Sequence, residues 1–464
     1  MQRMRRACRD PQGWLRLLHA MRPPGQLRMI TRPLASPAVG ATPPGSLADR
    51  QWRLTHTLRA PHRLGFVLAA LLLGVTGLWW TLVQLDRVSA ALSLPYAMSP
   101  SLAHGAVMSF GFIPLFFSGF MFTAGPRWLH VAPPDVRQLL APLLLQAGGW
   151  WLWLAGAHID TRIALLGLAL ATVGLMWVSG LFWQLIWRSP APDRLHAMVV
   201  GVGCGVGCVS LLGVALAMVL DAPQIAAACV LTGLWGFIVV GYVAVAHRMI
   251  PFFTSSALPL MDAWRPFWVL WLMLATTFLE VVAVWVELNG LPDGAAGPTW
   301  MGLRGSLELA AGTVLLWLAW AWGLVQSLKN RLLAMLHIGF MWLAVALLLS
   351  GASQWLGLSA GVPSLGLGPM HALSMGCLAS LMLAMVTRVS CGHSGRPLLA
   401  NNRMWLLFWL LQLTTVMRVA ADAYPFLANG LLLPAAFLWA GIMSVWGVHL
   451  GNWYGRVRTD GRPG

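Results

Sequence analysis

The stretch MHALSMGCLASLMLAMVTRVSCGHSGRPL, residues Met370–Leu398, decides the fold class of this chain. Its apolar centre is long enough to cross a bilayer as a helix, which needs about 20 predominantly apolar residues. His371 stands at one end of the span, Arg388 near the other, and His393 just beyond it. Ionisable groups are costly inside a membrane and usually mark a ligand, proton or cofactor site. This stretch is therefore the first candidate for the functional site of the protein.

The composition of the whole chain also indicates a membrane protein. Of its 464 residues, 58% are hydrophobic and 9% are charged, and the mean hydropathy is +0.71. This leaves too little polar surface for a soluble protein of that length. We predict an all-α fold, a polytopic integral membrane helix bundle with about twelve transmembrane helices. The predicted spans are 66–84, 101–124, 139–158, 163–187, 196–220, 225–246, 267–288, 306–328, 333–356, 367–389, 403–421 and 427–453.

Basic residues predict the orientation of the bundle. With the amino terminus inside, twelve arginines before the first span and fourteen later Lys or Arg residues fall on the cytoplasmic side. Arg87, Arg162, Arg304 and Arg418 fall on the outer side. This asymmetry follows the positive-inside rule and predicts an even number of spans, with both termini cytoplasmic. The net charge of +16 therefore requires no nucleic acid partner.

The domain organisation follows from the same patterns. Residues 1–63 are basic and rich in Pro and Arg, and we expect a disordered cytoplasmic tail that includes His56 and His62. An alternative is that this segment is not part of the native protein. Residues 64–454 form the predicted transmembrane domain, and residues 455–464 form a short basic cytoplasmic tail.

Four ordered blocks resemble the NnrS family, the heme- and copper-containing bacterial membrane proteins of the nitric oxide response. The opening stretch is similar to the family's HALT-x-G, TRV and GHTGRPL runs. The other three blocks are SGFMFTAGPRW at 118–128, AHRMIPFFTSSAL at 246–258 and LAMLHIGFMWL at 333–343. The resemblance implies a multi-pass protein of the bacterial inner membrane that takes part in nitric oxide metabolism or nitrosative stress tolerance. It implies nitric oxide or a related small ligand and leaves open whether the protein catalyses a reaction.

The resemblance implies heme more strongly than copper. The family usually shows a WHAHEM run at the second span. Here His104 matches its first histidine, but Ala106 and Val107 stand in place of its second histidine and its glutamate.

Two histidine and methionine pairs form the best metal-like pattern near the predicted outer face. His104 is followed by Met108, and His371 by Met375. Residues four apart share one face of an α-helix, and imidazole and thioether groups suit heme iron or Cu(I). We predict His104 and His371 as cofactor and metal ligands, with Met108 and Met375 as further metal ligands. The alternative is that the methionines pack as core.

Candidate cofactor-binding groups on the predicted cytoplasmic side are less regular. They are His247, Arg248, His337, Arg388 and His393. Arg248 would suit an acidic group such as a heme propionate, whereas a core histidine bonded to the backbone is the alternative for His337. His393 is expected in a glycine-bracketed turn that closes over a cofactor or simply carries positive charge.

Two acidic residues are candidates for a proton or ion path. Glu280 lies within the seventh predicted span, where it must be protonated or meet a partner. Glu308 is predicted near the start of the eighth helix, where a carboxylate can also serve as a cap. Asp422 is predicted in a loop.

The main alternative function is a multi-helix membrane transporter without a redox cofactor. A heme-copper oxidase or nitric oxide reductase is disfavoured, since those families use an adjacent histidine pair and the chain contains no HH.

Overall fold

Twelve long helices account for most of the chain that the structure describes. The computed structural model describes residues 51–89, 92–258 and 262–460. Most of the predicted amino-terminal tail, residues 1–50, and residues 461–464 lie outside the described residues. The twelve helices are α1 Pro61–Val88, α2 Pro100–Leu129, α3 Val136–Ile159, α4 Thr161–Arg188, α5 Leu195–Val219, α6 Pro223–Ala257, α7 Phe267–Val286, α8 Ala296–Ala321, α9 Arg331–Gly357, α10 Gly368–His393, α11 Asn402–Ala423 and α12 Pro425–Tyr454.

In the described part of the chain, eleven of these helices are long and apolar enough to cross a membrane. The remaining one, α8, is 26 residues long and carries Arg304 and Glu308. Each predicted span overlaps one helix, which confirms the polytopic helix bundle.

The boundaries of α8 differ most from the prediction. The helix begins at Ala296 instead of residue 306, because Arg304 belongs to the helix and finds acidic partners inside the bundle. It ends at Ala321, two residues before Gly323, which adopts a left-handed conformation at φ +98°. Glycine tolerates that conformation and commonly ends a helix.

Several helices pack against the next helix in the chain, and the first helix packs against the last. The most extensive contacts join α3 with α4, α8 with α9, and α1 with α12. Between α3 and α4, Gly149 lies against Gly167 so closely that a Cβ at either position would collide with the facing backbone. Small residues allow this approach between membrane helices.

Residues 53–63 belong to this packed body, which corrects their assignment to the tail. His56 and His62 are buried, and His56 Nδ1 lies 2.8 Å from the carbonyl of Gly455. Arg63 donates from Nη1 to the carbonyl oxygens of Tyr454 at 3.2 Å and Arg456 at 2.9 Å. The Arg63 cation therefore satisfies carbonyl groups at the end of α12. The hydropathy of the sequence does not indicate this contact.

Two helices contain π-helical segments, Leu234–Val239 in α6 and Ala372–Ala379 in α10. Such segments are rare and frequent at functional sites. The second begins directly after His371 and includes Met375, so this histidine and methionine pair lies where the α-helical hydrogen bonding changes.

Candidate functional site

The predicted ligands His104 and His371 lie at the same end of the bundle, which we call the outer end after the predicted orientation. His104 is in the first turns of α2 and His371 in the first turn of α10. His371 and Arg418 lie within electrostatic range of the His104 ring. The structure therefore brings together the two histidines that the sequence singled out.

His104 has one imidazole nitrogen without a partner. Its half-buried ring stacks on Trp80, with 3.7 Å between ring centroids and 21° between planes. Its Nδ1 is fully buried and has no hydrogen-bond partner among the described residues. An unpaired buried polar atom is costly, and Nδ1 of His104 is such an atom.

His371 is held by groups on one side of its ring. Its Nδ1 lies 2.9 Å from Asp422 Oδ2 and 3.0 Å from the carbonyl oxygen of Leu367. Arg418 forms an ion pair with the same carboxylate. A carboxylate or carbonyl on one nitrogen is the usual arrangement behind a metal-ligating histidine, because it fixes the tautomer and frees the other nitrogen. Asp422 is thus a helical residue of α11 with two partners, which corrects its prediction as a loop residue.

The methionines and the metal prediction have a weaker basis in the structure. Met108 and Met375 are partly buried and pack against the hydrophobic core. Within the described ranges, no three His, Cys, Asp or Glu side chains converge so that they could hold a metal ion. A metal at the outer end would therefore rely on imidazole and thioether groups.

A second polar cluster at the outer end joins α7, α8 and α9. Arg304 donates from Nη2 to Glu280 at 2.7 Å and from Nε to Glu308 at 2.8 Å. Its Nη1 is 2.7 and 2.8 Å from the two carboxylate oxygens of Glu287. Ser350 donates to Glu308 at 3.0 Å. We call these five residues the Arg304 cluster.

The Arg304 cluster bears on the predictions for Glu280 and Glu308. Glu280 does meet a partner, Arg304, and is 3% exposed. Glu308 is fully buried and lies well inside α8, which starts at Ala296, so it does not cap the helix.

The predicted cytoplasmic-side groups do not form one site with the outer histidines. His247 pairs with His196, with 2.9 Å between His247 Nδ1 and His196 Nε2, and its Nε2 is 3.1 Å from the Pro266 carbonyl. His337 Nε2 is 2.9 Å from Thr254 Oγ1. These three histidines are buried, and each is at least partly satisfied by the protein itself.

The remaining predicted groups of that side also have protein partners. The guanidinium of Arg388 lies 4.0 Å from the ring centroid of Phe253. Arg248 lies 3.8 Å from Asp193 and over the ring of Trp128.

His393 is the last residue of α10 and packs against His62, with 4.6 Å between ring centroids. It therefore ends a helix, and the predicted turn begins after it, where Gly395 has φ +71°.

Sequence reasoning missed the groups that organise the candidate ligands. Arg304, Arg418 and His196 were not assigned to any site, although Arg304 with Glu308 and Arg418 with Asp422 are ion pairs of residues four apart. Opposite charges at that spacing share a helix face. That spacing, inside or at the end of an apolar span, was the available signal.

An all-helical bundle with paired charges and candidate ligand histidines inside its spans defines a polytopic membrane protein with a polar site at one end. The NnrS family model, described as NnrS protein, matches residues 56–458. The chain therefore belongs to the NnrS family, and this membership supports a membrane protein of the nitric oxide response. No curated protein matches the chain.

Proposed function

We propose that this protein binds heme at the outer end of its helix bundle, where His104 and His371 are the residues that would hold it, and acts in nitric oxide metabolism or tolerance. The observation that carries the proposal is the environment of His371. Nδ1 lies 3.0 Å from the Leu367 carbonyl oxygen and 2.9 Å from Asp422 Oδ2, so Nε2 would be the nitrogen that binds iron. Membership of the NnrS family supports the same class of function.

The side chains at the outer end fit heme in their donor chemistry. Imidazole is a common axial ligand of heme iron, and the buried, unpaired Nδ1 of His104 is a nitrogen in need of a partner. Arg87 lies within electrostatic range of His104 and suits the acidic side chains of a porphyrin. Heme iron supplies a centre that can bind nitric oxide.

Two residues of this chain would position that cofactor. Asp422 would hold the His371 ring in one orientation and one tautomer, because a proton on Nδ1 is stabilised by the carboxylate. Trp80 would fix the plane of the His104 ring by stacking.

Copper is a separate and less supported part of the proposal. It would have to use His104, His371, Met108 and Met375, because Ala106 and Val107 occupy the positions of two further polar residues in the family's run. Thioether ligands suit Cu(I), and imidazole suits copper among several other metals.

Absorption spectroscopy of the purified full-length protein, with a pyridine-hemochrome assay and metal analysis, tests the proposal. We expect a Soret band that shifts when nitric oxide is added to the reduced protein. A protein that purifies folded, binds no heme on reconstitution and gives no such band would favour the transporter alternative.

A further inference from the structure

The Arg304 cluster places two buried carboxyl groups side by side. Nε and Nη2 of Arg304 lie on the same edge of the planar guanidinium, and they donate to Glu308 and Glu280 respectively. Because each group binds one of two adjacent nitrogens of a single guanidinium, the two carboxyl groups are neighbours. Glu280 is 3% exposed and Glu308 is fully buried.

The charges of the cluster do not balance if every carboxyl group is ionised. Both oxygens of the Glu287 carboxylate accept from Nη1 of Arg304, and Oε1 also accepts from Nε1 of Trp300 at 2.7 Å. Glu280 and Glu308 then share the other edge of the same single positive charge. Among the described residues, Arg304 is the one cation in ion-pair contact with these three acids. Burial of uncompensated negative charge is expensive, and like charges in one site resist joint ionisation.

Two oxygen atoms of this pair lack a hydrogen-bond donor in the part of the chain that the structure describes. Glu280 Oε1 and Glu308 Oε2 are buried and have no hydrogen-bond partner among the described residues. Two carboxylates can only accept hydrogen bonds, whereas one proton turns one of them into a donor to the other. A single proton on the pair therefore removes one negative charge and supplies the hydrogen-bond donor that the pair lacks.

We propose that Glu280 and Glu308 bind one proton between them at neutral pH, so that the Arg304 cluster is a proton-binding site separate from the outer histidines. The groups facing the pair are Glu287, beyond the end of α7, Arg304 from α8 and Ser350 from α9. Ser350 donates to Oε1 of Glu308, so Oε2 of Glu308 stays available for the shared proton. The site gives the outer end a buried group that can release or accept one proton.

Infrared spectroscopy of the full-length protein in phosphatidylcholine vesicles tests this proposal directly. A protonated carboxylic acid has a carbonyl stretching band that carboxylates lack, and the band shifts in heavy water. We expect the wild type to show this band at pH 7 and to lose it at high pH. We expect Glu280→Gln and Glu308→Gln to lack it, whereas Asp293→Asn, which changes an exposed loop carboxylate, keeps it.

The variant Glu287→Gln tests the direction of a pH shift. A purely structural role of the cluster predicts no such shift. Loss of the Glu287 charge leaves the guanidinium to the remaining pair, which favours ionisation. The band should therefore disappear at a lower pH in Glu287→Gln than in the wild type.

Three results would overturn the proposal. The first is a wild-type spectrum without the band at pH 7, which decides the matter even if the variants fail to fold. The second is a band that survives in both Glu280→Gln and Glu308→Gln. The third is a band that NaCl abolishes at constant pH but choline chloride does not, which would identify a site for a metal cation.

Discussion

At the scale of single residues, Arg304 stabilises more buried charge than any other cation in the described chain, because three carboxyl groups bind it. We expect Arg304→Gln to destabilise the protein by about 3–5 kcal/mol at pH 8, since it leaves buried carboxylates without their partner. Thermal unfolding in detergent measures this loss. It should be smaller at pH 5, where protons neutralise the unpaired carboxylates.

The matched control for that prediction is Arg162→Gln, which changes an exposed arginine of the same predicted side. Its effect should stay within about 0.5 kcal/mol. Equal unfolding temperatures for the two variants at pH 8 would mean that the Arg304 cluster contributes little to stability.

Asp422 is expected to act on heme through His371. If the proposed ligation holds, Asp422→Asn should weaken heme binding by roughly 10–100-fold, because the carboxylate no longer fixes the ring and its tautomer. Heme titration of the reconstituted protein measures the affinity, with Asp293→Asn as the control. Unchanged affinity in Asp422→Asn would show that the contact with His371 serves packing alone.

Individual residues were the part of the site that the sequence indicated best. The cost of burying a charge singles out Glu280 and His371 from sequence alone, because Glu280 stands inside an apolar span and His371 at the end of one. It does not identify their partners. Glu280 is bound by Arg304 from a neighbouring helix, and Asp422 reaches His371 from another.

At the scale of helices, glycines set the distance between α3 and α4. Gly149 and Gly148 are adjacent, but a Cβ at Gly149 would lie 2.6 Å from the backbone nitrogen of Ala171, whereas at Gly148 it would meet nothing within 4 Å. We expect Gly149→Ala to destabilise the protein by about 1–3 kcal/mol through overpacking. Gly148→Ala should be neutral or slightly stabilising.

Thermal unfolding of both glycine variants under the same conditions gives the comparison. If Gly149→Ala unfolds at the same temperature as Gly148→Ala, close packing of α3 on α4 is not a determinant of stability.

The positions of the helices were predictable because a bilayer demands continuous apolar sequence and internal backbone hydrogen bonding. The extent of α8 was not, since Arg304 reads as a span boundary until its carboxylate partners are known. The π-helical segment at Ala372–Ala379 was also beyond sequence reasoning. The segment is mostly apolar around its whole circumference, so the spacing of its apolar residues does not distinguish a π-helix from an α-helix.

At the scale of the whole molecule, we predict twelve membrane crossings with both termini on the cytoplasmic side. Eleven helices qualify by length and hydropathy, and α8 would make the number even by crossing with its charges paired. Reporter fusions after Trp453 should give a cytoplasmic signal, and fusions in the loop between α7 and α8 should give a periplasmic one. A periplasmic carboxyl terminus would remove α8 from the membrane or reverse the orientation.

The arrangement of the twelve helices could not be inferred from the sequence. Hydropathy gives their number and the basic residues predict their direction, but neither specifies neighbours. The contact of α1 with α12, for example, includes hydrogen bonds from Arg63 to carbonyl groups at the end of α12. The arrangement of the helices also brings His104 and His371 to the same end of the bundle. The sequence predicts each histidine as a ligand but does not show that the two lie close together.

The heme spectrum of histidine variants tests the central claim most directly. His104→Ala and His371→Ala should each lose the Soret band or shift it, because few groups in an apolar site can replace an axial ligand. His130→Ala, which changes a histidine that follows the end of α2, should retain the wild-type spectrum. Full heme content and unchanged spectra in both ligand variants, together with heme loss in His247→Ala or His337→Ala, would move the site to the opposite end of the bundle and contradict the account.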